Sequence, residues 1–410
     1  MQDVDVVIIG AGAAGLAAAK TLRAAGKSFR LIEARDRIGG RAWTTDTDFG
    51  VPFDIGCAWL HAADRNPFYP EAQAAGWTLY HHDAGLDHLW FGTTRASDAD
   101  MARLAVADEA LREAIEAHAD PDDRLSDLIG NCHFLRANAT YAGPMDFARD
   151  ADEISIADYQ SAECLDPNYF TLEGFGALIH RWGADVPVTL NCPARLLRWD
   201  GPGVAVETDQ GTIRAHAAIV TIPTGALAFD ALRFAPELPL SHRAAIFDLP
   251  MGLLTKIPLQ VTGTRFDLNP FDDLLIEGLA KHDLYFLCFP FDLDLMVGFV
   301  GGDFAWELEA AGEEAGVDYV TGKLVSIFGS DTRKHVRKGM MTNWAGDRWA
   351  RGAYAAARPG KADARSTLAE PVADRIWFAG EALGGGLKQT AAGARISGET
   401  MGKAVAAHLG

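Results

Sequence analysis

A chain of 410 residues, 49% of them apolar and 23% charged, is long enough for two or three domains with sizeable cores. Its formal net charge of −19 argues against nucleic acid as a partner and suits cationic ones. No apolar run reaches the ~18 residues of a membrane span, and the first strand starts too close to Met1 for a secretory leader, so a cytoplasmic protein with no membrane partner is expected.

Residues 4–9 are almost continuously apolar, as a parallel strand buried on both faces requires. Gly10, Gly12 and Gly15 follow as G-x-G-x-x-G. The first glycine permits a tight turn, the second lets backbone approach a pyrophosphate, and the third lets the next helix pack close to the strand. Residues 13–25 read as a small-residue helix with Ala14 in its first turn, ended by Gly26. Residues 29–32 return as a second strand, and Glu33 ends it, 18 residues after Gly15, where a carboxylate can accept from ribose hydroxyls. Strand, turn, helix, strand and acid at these spacings predict a dinucleotide site with its pyrophosphate at the helix N-terminus. The acid favours FAD or NAD over NADP. Arg37-Ile38-Gly39-Gly40-Arg41 adds two glycines that let backbone press on a flat ring or diphosphate, and arginines that can neutralise phosphate. An NAD site has no evident need of this second loop.

Further along, residues 104–119 read as a helix with Leu104, Leu111 and Ile115 on one face, stopped by Asp120-Pro121. Residues 253–261, 285–291 and 296–300 read as strands, and 304–315 and 318–328 as helices. Trp306, Phe286 and Phe289 are expected in the core rather than at a substrate. Near the end, Trp377-Phe378-Ala379-Gly380-Glu381 and Thr390-Ala391-Ala392-Gly393 form a second nucleotide-type block. Two such blocks so far apart imply a flavin held by both ends of the chain, hence redox chemistry.

With these blocks in place the chain resembles the FAD-dependent amine oxidases: monoamine and polyamine oxidases, flavin histone demethylases and L-amino-acid oxidases. Residues 54–61 are similar to the family segment that runs beside the isoalloxazine, which implies flavin contacts from Gly56, Cys57, Ala58 and Trp59 and an active-site role for His61. Residues 188–194 resemble the strand and turn that hold adenine through main chain at Ala194, and residues 219–223, with Thr221, the strand leading to the substrate domain. Lys256 resembles the family lysine that holds a water against flavin N5. Trp344 and Gly352-Ala353-Tyr354 resemble the stretch lining the substrate cage. By the same resemblance Ala34, Arg35, Gly39, Gly40 and Arg41 join Glu33 around the dinucleotide. Gly380 and Glu381 face its ribityl or pyrophosphate region, and the helix from Thr390 and Ala391 points its N-terminus at the pyrimidine ring.

Two positions depart from the monoamine oxidases. Ala353 stands where they carry a flavin-linking cysteine, which implies non-covalent FAD. Thr390 stands where they carry a second cage tyrosine, leaving Tyr354 as a single aromatic wall. With His61 this leans towards polyamine-like or other aliphatic amines.

The fold class implied is α/β: a discontinuous Rossmann-type FAD-binding domain (residues 1–66, 160–235 and 340–410) and an α+β substrate-binding domain (67–159 and 236–339), amine-oxidase-like. The activity implied is hydride transfer from an amine to flavin N5, imine hydrolysis, and reoxidation by O2 with release of H2O2. The candidate catalytic residues are Lys256, Tyr354, His61 and Trp344. The partners expected are a small-molecule amine and O2; the sequence leaves the oligomeric state open. A desaturase or protoporphyrinogen-oxidase-like flavoenzyme and an L-amino-acid oxidase are the alternatives. The five cysteines (Cys57, Cys132, Cys164, Cys192 and Cys288) show no C-x-x-C, fitting a reducing compartment, and His81, His82 and His88 lack ligand spacing, so no metal site is expected.

Overall fold

The computed structural model describes residues 3–129, 133–278 and 281–410. Cys132 therefore lies outside the described residues. Strand Val4–Ile9 forms as its apolar run requires, with Val6, Val7 and Ile8 fully buried. It pairs in parallel with Gly211–Val220 on one side and Phe29–Ile32 on the other. Val188–Thr189 and Ile376–Phe378 extend the parallel array beyond these two neighbours. Antiparallel Val204–Thr208 and then Ala194–Arg198 and Arg233–Ala235 complete an eight-stranded sheet. Every strand of this sheet comes from residues 4–32, 188–235 or 376–378.

A second, seven-stranded sheet runs Val336–Gly339, Leu254–Val261, Leu295–Gly301, Leu284–Cys288, Asp273–Glu277, His88–Phe91 and Thr94–Arg95. Its pairs are antiparallel except that between Asp273–Glu277 and His88–Phe91. Three of its strands are buried along their whole length. Val320 and Leu324 of helix Glu313–Phe328 close one of its faces, and Phe286 and Phe289 lie in its core, fully buried. The architecture is of the α/β class expected from sequence.

Several boundaries differ from the sequence reading. The helix expected over 104–119 begins at Asp98, because Ser97 and Asp100 form a reciprocal capping box, and it ends at Ala117. The strand expected over 285–291 stops at Cys288, where Phe289 (φ 47°) and Phe291 (φ 55°) turn left-handed. The helix expected over 304–315 ends at Ala311. Gly312, at φ 98°, separates it from the next helix, which starts at Glu313 and so absorbs residues assigned to a linker.

The two chain ends meet helix against helix. Helix Ala391–His408 lies along helix Ala13–Ala24, and a Cβ on Gly398 would sit 2.0 Å from the Ala14 carbonyl oxygen. Small residues therefore set the interhelical distance. Gly398→Ala is expected to force the helices apart and to destabilise the fold by about 1–3 kcal/mol. A thermal melt would register this as a Tm several degrees lower; an unchanged Tm would show that the contact is soft.

Candidate active site

The two sheets face each other across a cavity of about 340 Å³. At its nucleotide end the strand–turn–helix geometry accounts for each glycine. Gly10 is at φ 104°, and a Cβ there would meet Thr221 Oγ1 at 2.6 Å. A Cβ on Gly15 would stand 1.8 Å from the Gly10 carbonyl oxygen. Gly12 is the N-cap of helix Ala13–Ala24 and provides no side-chain cap, so first-turn N–H groups face the cavity unsatisfied within the helix. Glu33, 6% exposed, accepts from Ala11 N–H (2.8 Å) and Arg35 N–H (2.9 Å), which fixes its carboxylate at the cavity wall with lone pairs to spare.

Of the two arginines in the second loop only Arg41 lines the cavity. It donates to the Ala353 carbonyl (2.6 Å) and to Glu381 (3.1 Å), itself 6% exposed and bonded to Ala355 N–H. The guanidinium of Arg37 instead stacks on Trp43, 4.5 Å from the ring centroid, and burial pulls its pKa down to about 10. Arg35 is bonded through both terminal nitrogens to Asp347 (2.6 and 2.9 Å). Thr390 caps helix Ala391–His408, its hydroxyl accepting from Gly393 N–H and donating to the Leu387 carbonyl. Thr390 and Ala391 thereby present that helix's N-terminus to the cavity.

At the other end stands Lys256, on strand Leu254–Val261 and 7% exposed. Its ammonium donates to the Asp54 carbonyl (2.8 Å) and the Gly56 carbonyl (2.6 Å). The third N–H remains for the cavity that Lys256 lines. Burial lowers its pKa to about 8, against the opposing field of Asp54. Trp344 is buried beside it and donates Nε1–H to the Ile55 carbonyl (3.2 Å). Tyr354 donates to the Met145 carbonyl (2.7 Å), and burial pushes its phenol far above the usual range.

His61 stacks beside Trp59, with centroids 6.1 Å apart and planes 7° from parallel. Its Nδ1 lies 2.7 Å from Asn168 Oδ1, and Asn168 Nδ2 donates to Asp166 (2.7 Å). That second bond orients the amide, so His61 Nδ1 is the donor and Nε2 carries the free lone pair. Burial lowers the His61 pKa, the Asn168 bond partly opposing it, which favours the neutral ring. Trp59 Nε1 is buried and has no partner among the described residues. Cys57 is half-buried, its thiol pushed up to about 12 by desolvation, and behaves as a wall rather than a nucleophile.

One cavity thus gathers the sequence-derived residues Gly10, Gly12, Ala14, Glu33, Ala34, Arg35, Gly39, Gly40, Arg41, Gly56, Cys57, Ala58, Trp59, His61, Ala194, Thr221, Lys256, Trp344, Tyr354, Gly380, Glu381, Thr390 and Ala391. Gly15 stands behind the wall, because its task is the close approach of helix to strand. The expectation of a single aromatic wall needs correction: Phe299, Tyr285 and Tyr141 add a second.

Sequence reasoning also missed Asp146 and Asn168. Asp146 follows a π-helical turn, Tyr141–Met145, that contains Pro144 and carries Tyr141 and Met145 into the wall. Such a turn is a known mark of functional sites, but no periodicity betrays it in sequence. Asp146 is exposed and lines the cavity; desolvation raises its carboxyl to about 7, against a hydrogen bond from Tyr159.

The family model for flavin containing amine oxidoreductases matches residues 13–96 and 82–406. Among relatives, a probable polyamine oxidase 4 of Arabidopsis thaliana is 29% identical over 436 residues, covering 96% of this chain and 85% of that protein. Human lysine-specific histone demethylase 2 is 24% identical over 98% of this chain and 53% of its own length. Among solved structures, wild-type putrescine oxidase bound to putrescine superposes with a TM-score of 0.82 at 21% identity, over 99% of each chain. Cyclohexylamine oxidase from Brevibacterium oxydans IH-35A gives 0.82 at 22% identity, again over 99% of each. FAD is the cofactor of this family, and Ala353 offers no sulfur for a covalent link. The residues present fit it: a glycine-lined helix N-terminus for a diphosphate, a fixed carboxylate at the end of the second strand, and an unpartnered indole N–H in the wall.

The Arg41–Glu381 pair joins the two cofactor blocks. Arg41→Ala is expected to leave Glu381 buried without its cation, costing about 2 kcal/mol, and to weaken FAD retention. The flavin-to-protein absorbance ratio after gel filtration measures it; an undiminished ratio would exclude this role.

Proposed function

The chain belongs to the family of flavin-containing amine oxidoreductases, and from that premise we propose that it oxidises a polyamine-like or other aliphatic amine. On this reading residues 1–66, 160–235 and 340–410 bind FAD, and residues 67–159 and 236–339 bind the amine. The N-terminus of helix Ala13–Ala24 would hold the pyrophosphate, with Gly39, Gly40 and Arg41 beside it; Glu33 would take a ribose, and the N-terminus of helix Ala391–His408 the pyrimidine edge. When bound, FAD supplies the hydride acceptor for the amine C–H, leaving an imine that water hydrolyses and a reduced cofactor that O2 returns to its oxidised form with H2O2.

The protein's own task is to present a neutral amine. An alkylammonium with a lysine-like pKa is about one part in a thousand neutral at pH 7, a cost of roughly 4 kcal/mol. The cavity offsets this near Lys256. Desolvation beside Lys256 disfavours a charged nitrogen, and the Lys256 ammonium, while protonated, repels one. Neutral His61, with Nε2 free, can accept a hydrogen bond from the amine. Lys256 carries the proposal: a lysine kept in apolar surroundings by two backbone carbonyls, with one N–H directed to the cavity, is arranged to hold a water or oxygen species there. The preference for a second positive group rests on Asp146, the carboxylate the cavity presents away from that lysine. It also disfavours the carboxylate of an amino acid.

Anaerobic addition of polyamines, alkyl monoamines or L-amino acids to the yellow holoenzyme tests the reading. Bleaching by polyamines, with recovery and peroxide on admission of air, is expected; no bleaching by any amine in chemically reducible protein would sink it. Lys256→Met is expected to retain FAD while slowing reduction or reoxidation by about tenfold or more; stopped-flow traces identical to wild type would remove Lys256 from the chemistry. Asp146 adds a pH dependence. A carboxyl near 7 is ionised above that pH and neutral below it, so the KM for a diamine is expected to rise as pH falls from 8 to 6. In Asp146→Asn the KM at pH 8 is expected to be about tenfold higher, without that limb. Steady-state profiles of the two proteins decide; a limb that survives in the variant belongs to another group.

A further inference from the structure

The second aromatic wall leads away from Lys256. Trp59 packs on Phe299 (centroids 5.5 Å apart), Phe299 on Tyr285 (5.4 Å), and Tyr285 edge to face on Tyr141 (5.8 Å), and all four line the cavity. What stands behind the last two rings sets them apart. Tyr285 donates its hydroxyl to Oδ1 of Asp273, a residue only 1% exposed. The other oxygen of Asp273 accepts from Gly85 N–H (2.6 Å). Tyr141 donates its hydroxyl to the Gly85 carbonyl (2.8 Å). Both phenolic protons are committed to the protein, so either oxygen can offer a ligand only a lone pair. The ring faces are themselves negative. Beyond burial, the charges acting on Tyr141 are the carboxylates of Asp273, Asp146 and Asp87. His82 Nε2 lies 3.3 Å from Asp273 Oδ1, and against desolvation that carboxylate raises the imidazole's pKa, so His82 tempers the field of Asp273 without removing those of Asp146 and Asp87.

We infer that Tyr141 and Tyr285, backed by the buried carboxylate of Asp273, form a second subsite that receives a cationic nitrogen of the substrate remote from the carbon being oxidised. Lone pairs, ring faces and a converging negative field recognise an ammonium and give nothing to a methyl terminus or a carboxylate. The inference rests on the amine-oxidase reading and narrows its substrate to di- and polyamines. Tyr141 and Tyr285 touch the ligand. Asp273 acts through Tyr285 and is a positioning residue.

The test compares butane-1,4-diamine with butylamine on the wild-type, Tyr285→Phe and Asp273→Asn holoenzymes. The ratio of kcat/KM for diamine over monoamine is expected to fall at least about tenfold in both variants, chiefly through KM. In parallel, calorimetry on the same proteins compares hexamethyl-butane-1,4-diammonium with butyltrimethylammonium, neither of which has a neutral amine form. The preference for the dication is expected to fall by a similar factor. An unchanged ratio in variants that retain FAD overturns the subsite; a general loss of packing would lower both amines together. Should Asp273→Asn fail to fold, Tyr285→Phe, which removes one oxygen, still decides. If no amine reduces the flavin but the dication preference is present in wild type and lost in Tyr285→Phe, the oxidase reading fails and the subsite stands.

Discussion

The ammonium of Lys256 is the constraint around which the rest of the site is set. It sits in apolar surroundings and donates to the carbonyls of Asp54 and Gly56, on a loop that belongs to the nucleotide half of the chain. Holding a lysine at a pKa of about 8 instead of 10.5 corresponds to about 3 kcal/mol. That cost is fully present below pH 8 and is relieved as pH rises towards the unfolded value. The loop it grips has little freedom. A Cβ on Gly56 would come 1.5 Å from the Arg41 carbonyl oxygen, and Asp54 is fixed by Thr44 and by the N–H groups of Phe175 and Gly176. Arg41 in turn ties Ala353 to Glu381. One chain of contacts therefore runs from Lys256 through the nucleotide loop to the C-terminal block, and a shift at either end would be felt at the other.

The cavity between these supports is polarised. Its lining includes Lys256 and two helix N-termini on the one hand and Asp146 and, behind the tyrosines, Asp273 on the other. On the proposed reading, such a charge distribution would stabilise negative charge at the flavin and positive charge at the distal nitrogen of a diamine. A diamine would then satisfy both by entering with its neutral nitrogen first. Orientation thus follows from charge as well as from shape, which serves a flexible aliphatic substrate with few shape features of its own.

The parts of this arrangement that were legible in sequence are those where backbone geometry excludes most residue types. Gly10 at φ 104°, Gly39 at φ 96° and Gly15 against a carbonyl oxygen each demand glycine, and so they leave a pattern that can be read. The buried parallel strand and the capped C-terminal helix leave similar marks. Asn168, which orients His61, and Asp273, which stands behind Tyr285, leave none. Each acts through a side chain brought close by tertiary packing, across separations of 107 residues from His61 to Asn168 and 12 from Asp273 to Tyr285. Phe286 and Phe289 were placed in the core from hydrophobicity. Their neighbour Tyr285 reaches the cavity because strand residues alternate faces, and hydrophobicity alone does not reveal which face is which. The early start of helix Asp98–Ala117 was legible in principle, since Ser97-x-x-Asp100 is a capping box written in sequence.

This division has a mechanical basis. The backbone at Gly10, Gly15, Gly39 and Gly56 is fixed by contacts too close for any side chain, so it tolerates almost no substitution without moving its neighbours. The wall proposed to meet the amine is built from side chains on strands Leu284–Cys288 and Leu295–Gly301 and on the π-helical turn Tyr141–Met145, with Asp273 behind it. A change there alters which charges and rings a substrate meets while the sheet's hydrogen bonds persist. On the proposed reading, redox chemistry and amine selection would therefore be separable: the first would rest on glycine geometry at the two ends of the chain, the second on exchangeable side chains between them.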